Sequence, residues 1–111
     1  MIYEIRNYHY EPSLMSQYKA WATNAALPFL RAKLDLVGFW TTGDEPAQVS
    51  GKELDELGSA TVTWIIRWPD MATRNEQMAK IFVGEGWDEV MKSNPGAEHY
   101  HRIEAKFADE L

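Results

Sequence analysis

At 111 residues with 45% hydrophobic content, the chain is long enough to bury roughly two thirds of its unfolded surface, so a single domain, 1–111, needs no disulfide or structural metal. Cysteine is absent, which excludes thiol nucleophiles, zinc ribbons and disulfide scaffolds and points to a reducing, cytoplasmic setting. A formal charge of −6, with no basic stripe, argues against nucleic acid; no leader opens the chain and no apolar run nears the roughly 18 residues of a membrane span, so neither nucleic acid nor membrane is an expected partner.

The first predicted strand is IYEIRNYHY, residues 2–10, rich in aromatic and β-branched residues and free of Gly and Pro. Its alternation puts Ile2, Glu4, Arg6, Tyr8 and Tyr10 on one side and Tyr3, Ile5, Asn7 and His9 on the other. Both rows mix apolar and polar groups, as in a central strand covered on both faces. After Pro12, Ser13 is the expected cap of an amphipathic helix whose apolar positions are Leu14, Tyr18, Trp21, Ala25 and Phe29. Pro28 should kink or end it, leaving a loose turn to about Lys33.

Residues 36–42, LVGFWTT, predict the second strand, with Gly38 permitting a bulge or close packing. Residues 43–59 form an acidic insertion, poor in hydrophobic residues, read either as a lid or dimer arm or as a solvated hairpin extension, with a short helical turn over 52–57. Residues 60–68, ATVTWIIRW, alternate as Val62, Trp64, Ile66 and Trp68 against Thr61, Thr63, Ile65 and Arg67. Pro69 ends this third strand, Asp70 caps a second helix carrying the stripe Met71, Asn75, Met78 and Phe82, and Trp87, Val90 and Met91 mark a short further helix. A fourth strand over 97–107 sets His99, His101, Ile103, Ala105 and Phe107 against Glu98, Tyr100, Arg102, Glu104 and Lys106.

The order βαββαβ predicts an α+β, ferredoxin-like sandwich with both helices on one face of the sheet. The other face needs a cover, and a second copy related by two-fold symmetry is the usual one.

The opening IYEIRNYHYEPS resembles the NIPSNAP family, whose domains begin with a hydrophobic-Tyr-Glu-Leu-Arg-x-Tyr strand and a turn into a helix. LPFLRAK, LVGFWTT, IIRWPDMATRNE and GWDEVMK look like further family blocks. The resemblance implies a dimeric α/β barrel, in a superfamily that includes cofactor-free monooxygenases, haem degraders and many domains of unknown role. The 43–59 insertion departs from the much shorter turn usual in the family.

If Ile5 sits opposite Ile103 and the apolar rows face the helices, Asn7 falls opposite His101, His9 opposite His99, and all three histidines cluster. Asn7, Tyr18, Trp21, Trp64, Trp68 and His99 would then line a pocket between sheet and helices, with His9 and His101 as candidate general bases. Glu4, Arg6, Arg67, Arg102 and Glu104 would face the second copy and fix dimer register. Arg6 has an alternative use, holding a ligand carboxylate. The expected function is binding of a small apolar or aromatic molecule in a homodimer, without metal or cofactor. The alternative is cofactor-independent oxygenation or isomerisation of an aromatic substrate by a His base. Haem binding fits less well, because haem degraders place their ligating His on the second helix and Met71 to Phe82 has none.

Overall fold

A computed structural model describes the whole chain, residues 1–111, as an α+β fold on a four-stranded antiparallel sheet of order β2-β3-β1-β4. β1 (Ile2–Tyr10) lies at the centre, between β3 (Val62–Trp68) and β4 (Tyr100–Asp109), with β2 (Leu36–Thr41) on the far side of β3. The helices are α1 (Met15–Trp21), α2 (Leu27–Lys33), α3 (Met71–Ile81) and α4 (Glu85–Met91). They cover one face, and between them and the sheet lies a core rich in Tyr8, Tyr10, Tyr18, Trp21, Leu30, Trp64 and Ile66. This is the ferredoxin-like arrangement that the element order predicts.

Local chemistry sets the helix ends. Glu11, rather than Ser13, is the first cap: its carboxylate accepts from the Ser13 backbone N–H (3.0 Å) and hydroxyl (2.8 Å) over the 3₁₀ turn Pro12–Leu14. Pro28 does not end the helix. The turn Ala22–Ala26 widens to π geometry, with Leu27 N–H donating to Ala22 C=O, and α2 continues to Lys33. A proline ring clashes with the carbonyl four residues back and offers no N–H, and one widened turn removes that conflict without breaking the path. Asp70 caps α3 as predicted, accepting from Thr73 N–H at 2.7 Å. The inner face of α3 carries Arg74, Met78 and Phe82, while Met71 and Asn75 turn outward.

Strand parity explains the two layers. Val62, Trp64, Ile66 and Trp68 of β3 face the helices and are nearly inaccessible, as their alternation predicts. β1 presents the opposite row from the one expected. Glu4, Arg6, Tyr8 and Tyr10 point toward the helices, and Asn7 and His9 lie on the other face. The register differs too: Ile5 pairs with Lys106, Asn7 with Glu104, His9 with Arg102 and Tyr8 with Ile103. A bulge between His9 and Tyr10 makes His101 the extra residue on β4, so that Tyr10 pairs with Tyr100.

In β2, a Cβ on Gly38 would meet the Trp40 ring at 2.4 Å, so glycine lets that indole lie flat along the strand. Residues 43–59 form no regular helix or strand, and the 52–57 helical turn is replaced by one closed by Gly58 N–H to Asp55 C=O (3.0 Å). The segment turns back over the sheet face away from the helices, where Asp55 pairs with Arg102 and Leu54, Gly58 and Ser59 border a groove with Asn7 and His9. No helix is long and apolar enough to cross a membrane.

Candidate ligand cavity

A cavity of about 280 Å³ lies between the sheet and the helices, lined by 13 residues of which 12 are hydrophobic. β1 contributes Arg6 and Tyr8, β3 Trp64, β2 Phe39 and β4 Tyr100 and Ile103; the helical layer contributes Tyr18, Trp21, Leu30, Met78, Phe82, Trp87 and Met91. Each strand residue arrives by parity: Arg6 pairs with Trp64, and Tyr8 with Ile103, so their side chains share the helix-facing side. Ile103 is 58% exposed, which places the cavity mouth along β4, where the helices leave the sheet uncovered. Trp21 Nε1–H donates to Val90 C=O (2.7 Å) and ties the wall of α1 to α4.

Arg6 is the sole charged group in this wall. Its guanidinium carbon sits 5.4 Å from the ring centres of both Tyr8 and Trp64. Nε donates to Tyr8 Oη (2.6 Å) and Nη1 to Glu4 Oε2 (2.6 Å). Glu4 is fully buried behind it and accepts three more hydrogen bonds, from Trp68 Nε1 (3.0 Å), Arg74 Nε (2.9 Å) and Arg74 Nη2 (2.8 Å). Burial alone would raise the Glu4 pKa, but hydrogen bonds from Arg74 and Arg6 outweigh it and hold the carboxyl below its ordinary value. Arg74 also lies over the Phe107 ring, 5.1 Å from its centre. Burial raises the Tyr8 hydroxyl, against the opposing pull of Arg6, and raises Tyr18 and Tyr100 as well, so all three are O–H donors at neutral pH. Tyr100 O–H donates to Tyr18 Oη (3.2 Å) and accepts from Asn94 Nδ2 (3.2 Å). Trp64 Nε1 is buried and has no hydrogen-bond partner.

The structure brings together three of the residues expected at the pocket, Tyr18, Trp21 and Trp64. Trp68 lies nearby but spends its N–H on Glu4. Asn7 lies on the other sheet face, accepting from Thr63 Oγ1 at 2.7 Å. His9 and His101 are also there, with ring centres 6.0 Å apart. His101 contacts Glu11 at 3.1 Å, and His9 is buried at the edge of a groove it shares with the inserted segment, with Nδ1 unpartnered. His99 stands apart against the Tyr10 ring, 6.2 Å between centres. The histidines therefore do not form the predicted cluster, and no group of three or more His, Cys, Asp or Glu is placed to hold a metal. No histidine lines the cavity, so a His base acting there has no geometric support.

Among the residues expected at a dimer interface, Arg67, Arg102 and Glu104 do lie on the face away from the helices. Glu4 and Arg6 do not, because the buried row of β1 is the reverse of the expected one. Besides Tyr18, Trp21 and Trp64, the other ten lining residues were not among those expected at the pocket, nor was the role of Arg74. One signal was present: Glu4 and Arg6 are two residues apart on one strand face, so they can neutralise each other inside a core.

Sheet order and helix placement define a ferredoxin-like α+β protein, with an aromatic cavity between sheet and helices. The NIPSNAP family model matches residues 3–108, nearly the whole chain. The chain belongs to the NIPSNAP family. Solved structures share the fold. A NIPSNAP family protein of unknown function from Agrobacterium tumefaciens superposes with a TM-score of 0.73 at 17% identity, covering 97% of this chain and 86% of that one. An uncharacterized NIPSNAP domain protein from Burkholderia xenovorans gives 0.73 at 17%, covering 100% and 95%. A second Agrobacterium tumefaciens NIPSNAP family protein gives 0.75 at 15%, covering 99% and 85%. Among curated proteins, none matches the chain.

Proposed function

We propose that this NIPSNAP domain binds a small apolar or aromatic molecule in the cavity between sheet and helices, and does so as a homodimer. The observation that carries the reading is the cavity wall: 12 hydrophobic side chains around about 280 Å³, with one charged residue. Sites for small molecules combine such a wall with a few converging polar groups. Support for the dimer comes from the sheet face away from the helices, where Ile5 and Ile65 are only partly covered and Trp40 is half-exposed. A second copy packed there would bury these residues and bring Arg67, Arg102 and Glu104 to the contact, in the manner of a dimeric α/β barrel.

The test is calorimetric titration with 2-methylnaphthalene, paired with a variant that blocks the mouth. Ile103→Trp adds bulk at a largely exposed position. It should abolish saturable binding while leaving the melting temperature of the unliganded protein unchanged within about 2 °C. Absence of saturable binding in the wild type, or undiminished binding in the blocked variant, overturns the cavity as the ligand site.

A further inference from the structure

We infer that the ligand of this cavity is an amphipathic monoanion, an aryl or short acyl carboxylate whose acid group seats on Arg6 and Tyr8 and whose uncharged body fills the aromatic space. This deepens the binding reading above and rests on it.

Three observations converge on that chemistry. The first is charge. Arg6 and Arg74 share one carboxylate, Glu4, and neither forms any other ion pair. Two buried or half-buried cations against one anion leave a net positive charge, and the side of the cluster that reaches the cavity is Arg6. Low-dielectric surroundings make an uncompensated charge costly, and an anion placed there recovers much of that cost.

The second is donor count. Arg6 Nε and Nη1 are used, whereas Nη2 makes no hydrogen bond within the chain. Tyr8 accepts from Arg6, which leaves its own O–H to donate. The wall contains no carboxylate or amide, so these donors have nothing strong to bond within it. A wall that offers donors without matching acceptors selects a ligand rich in acceptor oxygen.

The third is the shape of the remaining space. Phe39, Phe82, Trp87, Met78 and Met91 offer only apolar or sulfur surface. At about 280 Å³ the cavity falls just under the roughly 300 Å³ lower bound of common small-molecule sites, which suits one or two rings or a short chain.

The experiment compares three probes of one body and different charge: 2-naphthoate, its methyl ester and 2-naphthylmethylammonium. Calorimetry at fixed ionic strength should rank naphthoate tightest, at least about tenfold over the ester, with the ammonium not bound. Arg6→Gln should erase the preference for naphthoate over the ester while keeping ester binding, and Lys92→Gln, on the protein surface, should leave both affinities unchanged. If Arg6→Gln does not fold, Tyr8→Phe provides the second arm, expected to narrow the preference about threefold or more. Equal binding of acid and ester by the wild type, or a preference that survives Arg6→Gln or, in the second arm, Tyr8→Phe, overturns the anion assignment and leaves the apolar cavity standing. Binding of none of the three probes overturns both readings together.

Discussion

Glu4 makes four hydrogen bonds without touching solvent, and its partners come from β1, β3 and α3. The carboxylate therefore joins the middle of the sheet to the second half of the helical layer. Glu4→Gln keeps the size but leaves Arg6 and Arg74 without an anion, and should destabilise the fold by about 3 kcal/mol, measured by urea unfolding. The pH dependence has a definite sign. Because the folded-state pKa of Glu4 is lowered, its stabilisation is fully present above the unfolded carboxyl value and is lost as pH falls through the folded one. Wild-type stability should thus drop below about pH 4, and Glu4→Gln should show a shallower drop. Glu11 acts at the surface by the same rule. Hydrogen bonds from Ser13 and then His101 lower its pKa to about 2, and NMR titration of its side chain should find a midpoint in that region. In Ser13→Ala the hydroxyl donor is gone and the midpoint should rise.

At the level of elements, α3 depends on its first turn. Asp70→Ala removes the acceptor for Thr73 N–H and should cost about 1 kcal/mol in the same unfolding assay. How much could be read beforehand differs from strand to strand. β3 was legible because its large aromatic and aliphatic side chains occupy a single row, and burial strongly favours one face. β1 was not, since each of its rows holds two or more polar residues and the decision rests on Arg74, 70 positions away, reaching Glu4. In β4 the helix-facing side of Ile103 and Phe107 agrees with their alternation, but the register does not, since Ile103 pairs with Tyr8 rather than Ile5, and the bulge at His101 reverses the faces before it. The reversed row of β1 carries His9 away from the helices, the bulge brings His101 to the same face, and His99 is left beside Tyr10, so the expected cluster of three does not form. Tyr18, Trp21 and Trp64 do line the cavity because their helix and strand periodicities are local properties, whereas Trp68 is drawn onto Glu4. Pro28 misled for a physical reason too, since proline forbids an ordinary turn but not a π turn. The inserted segment adds one testable element of its own. His9 is 8% exposed beneath it, so among the three histidines it should react slowest with diethyl pyrocarbonate. Replacing residues 44–57 by a short turn should bring its rate close to that of His101.

For the whole molecule, the two sheet faces differ in character: one borders the aromatic cavity, and the other carries charged and half-covered apolar residues, which the proposed dimer would bury. Light scattering at micromolar concentration should give about twice 12.8 kDa. Trp40→Glu should return the mass to that of one chain, and an unchanged mass would move the interface elsewhere.

The tryptophans of this chain happen to be sorted between those faces. Trp21, Trp64 and Trp87 border the cavity, Trp68 is locked onto Glu4, and Trp40 alone lies half-exposed on the opposite side, resting on Gly38. The protein thus carries two built-in optical channels. Acrylamide should quench Trp40 selectively in the single chain, and the proposed dimer should protect it. The unquenched emission should respond to cavity filling, so the proposed assembly and the proposed ligand uptake can both be tested in one cuvette without a label.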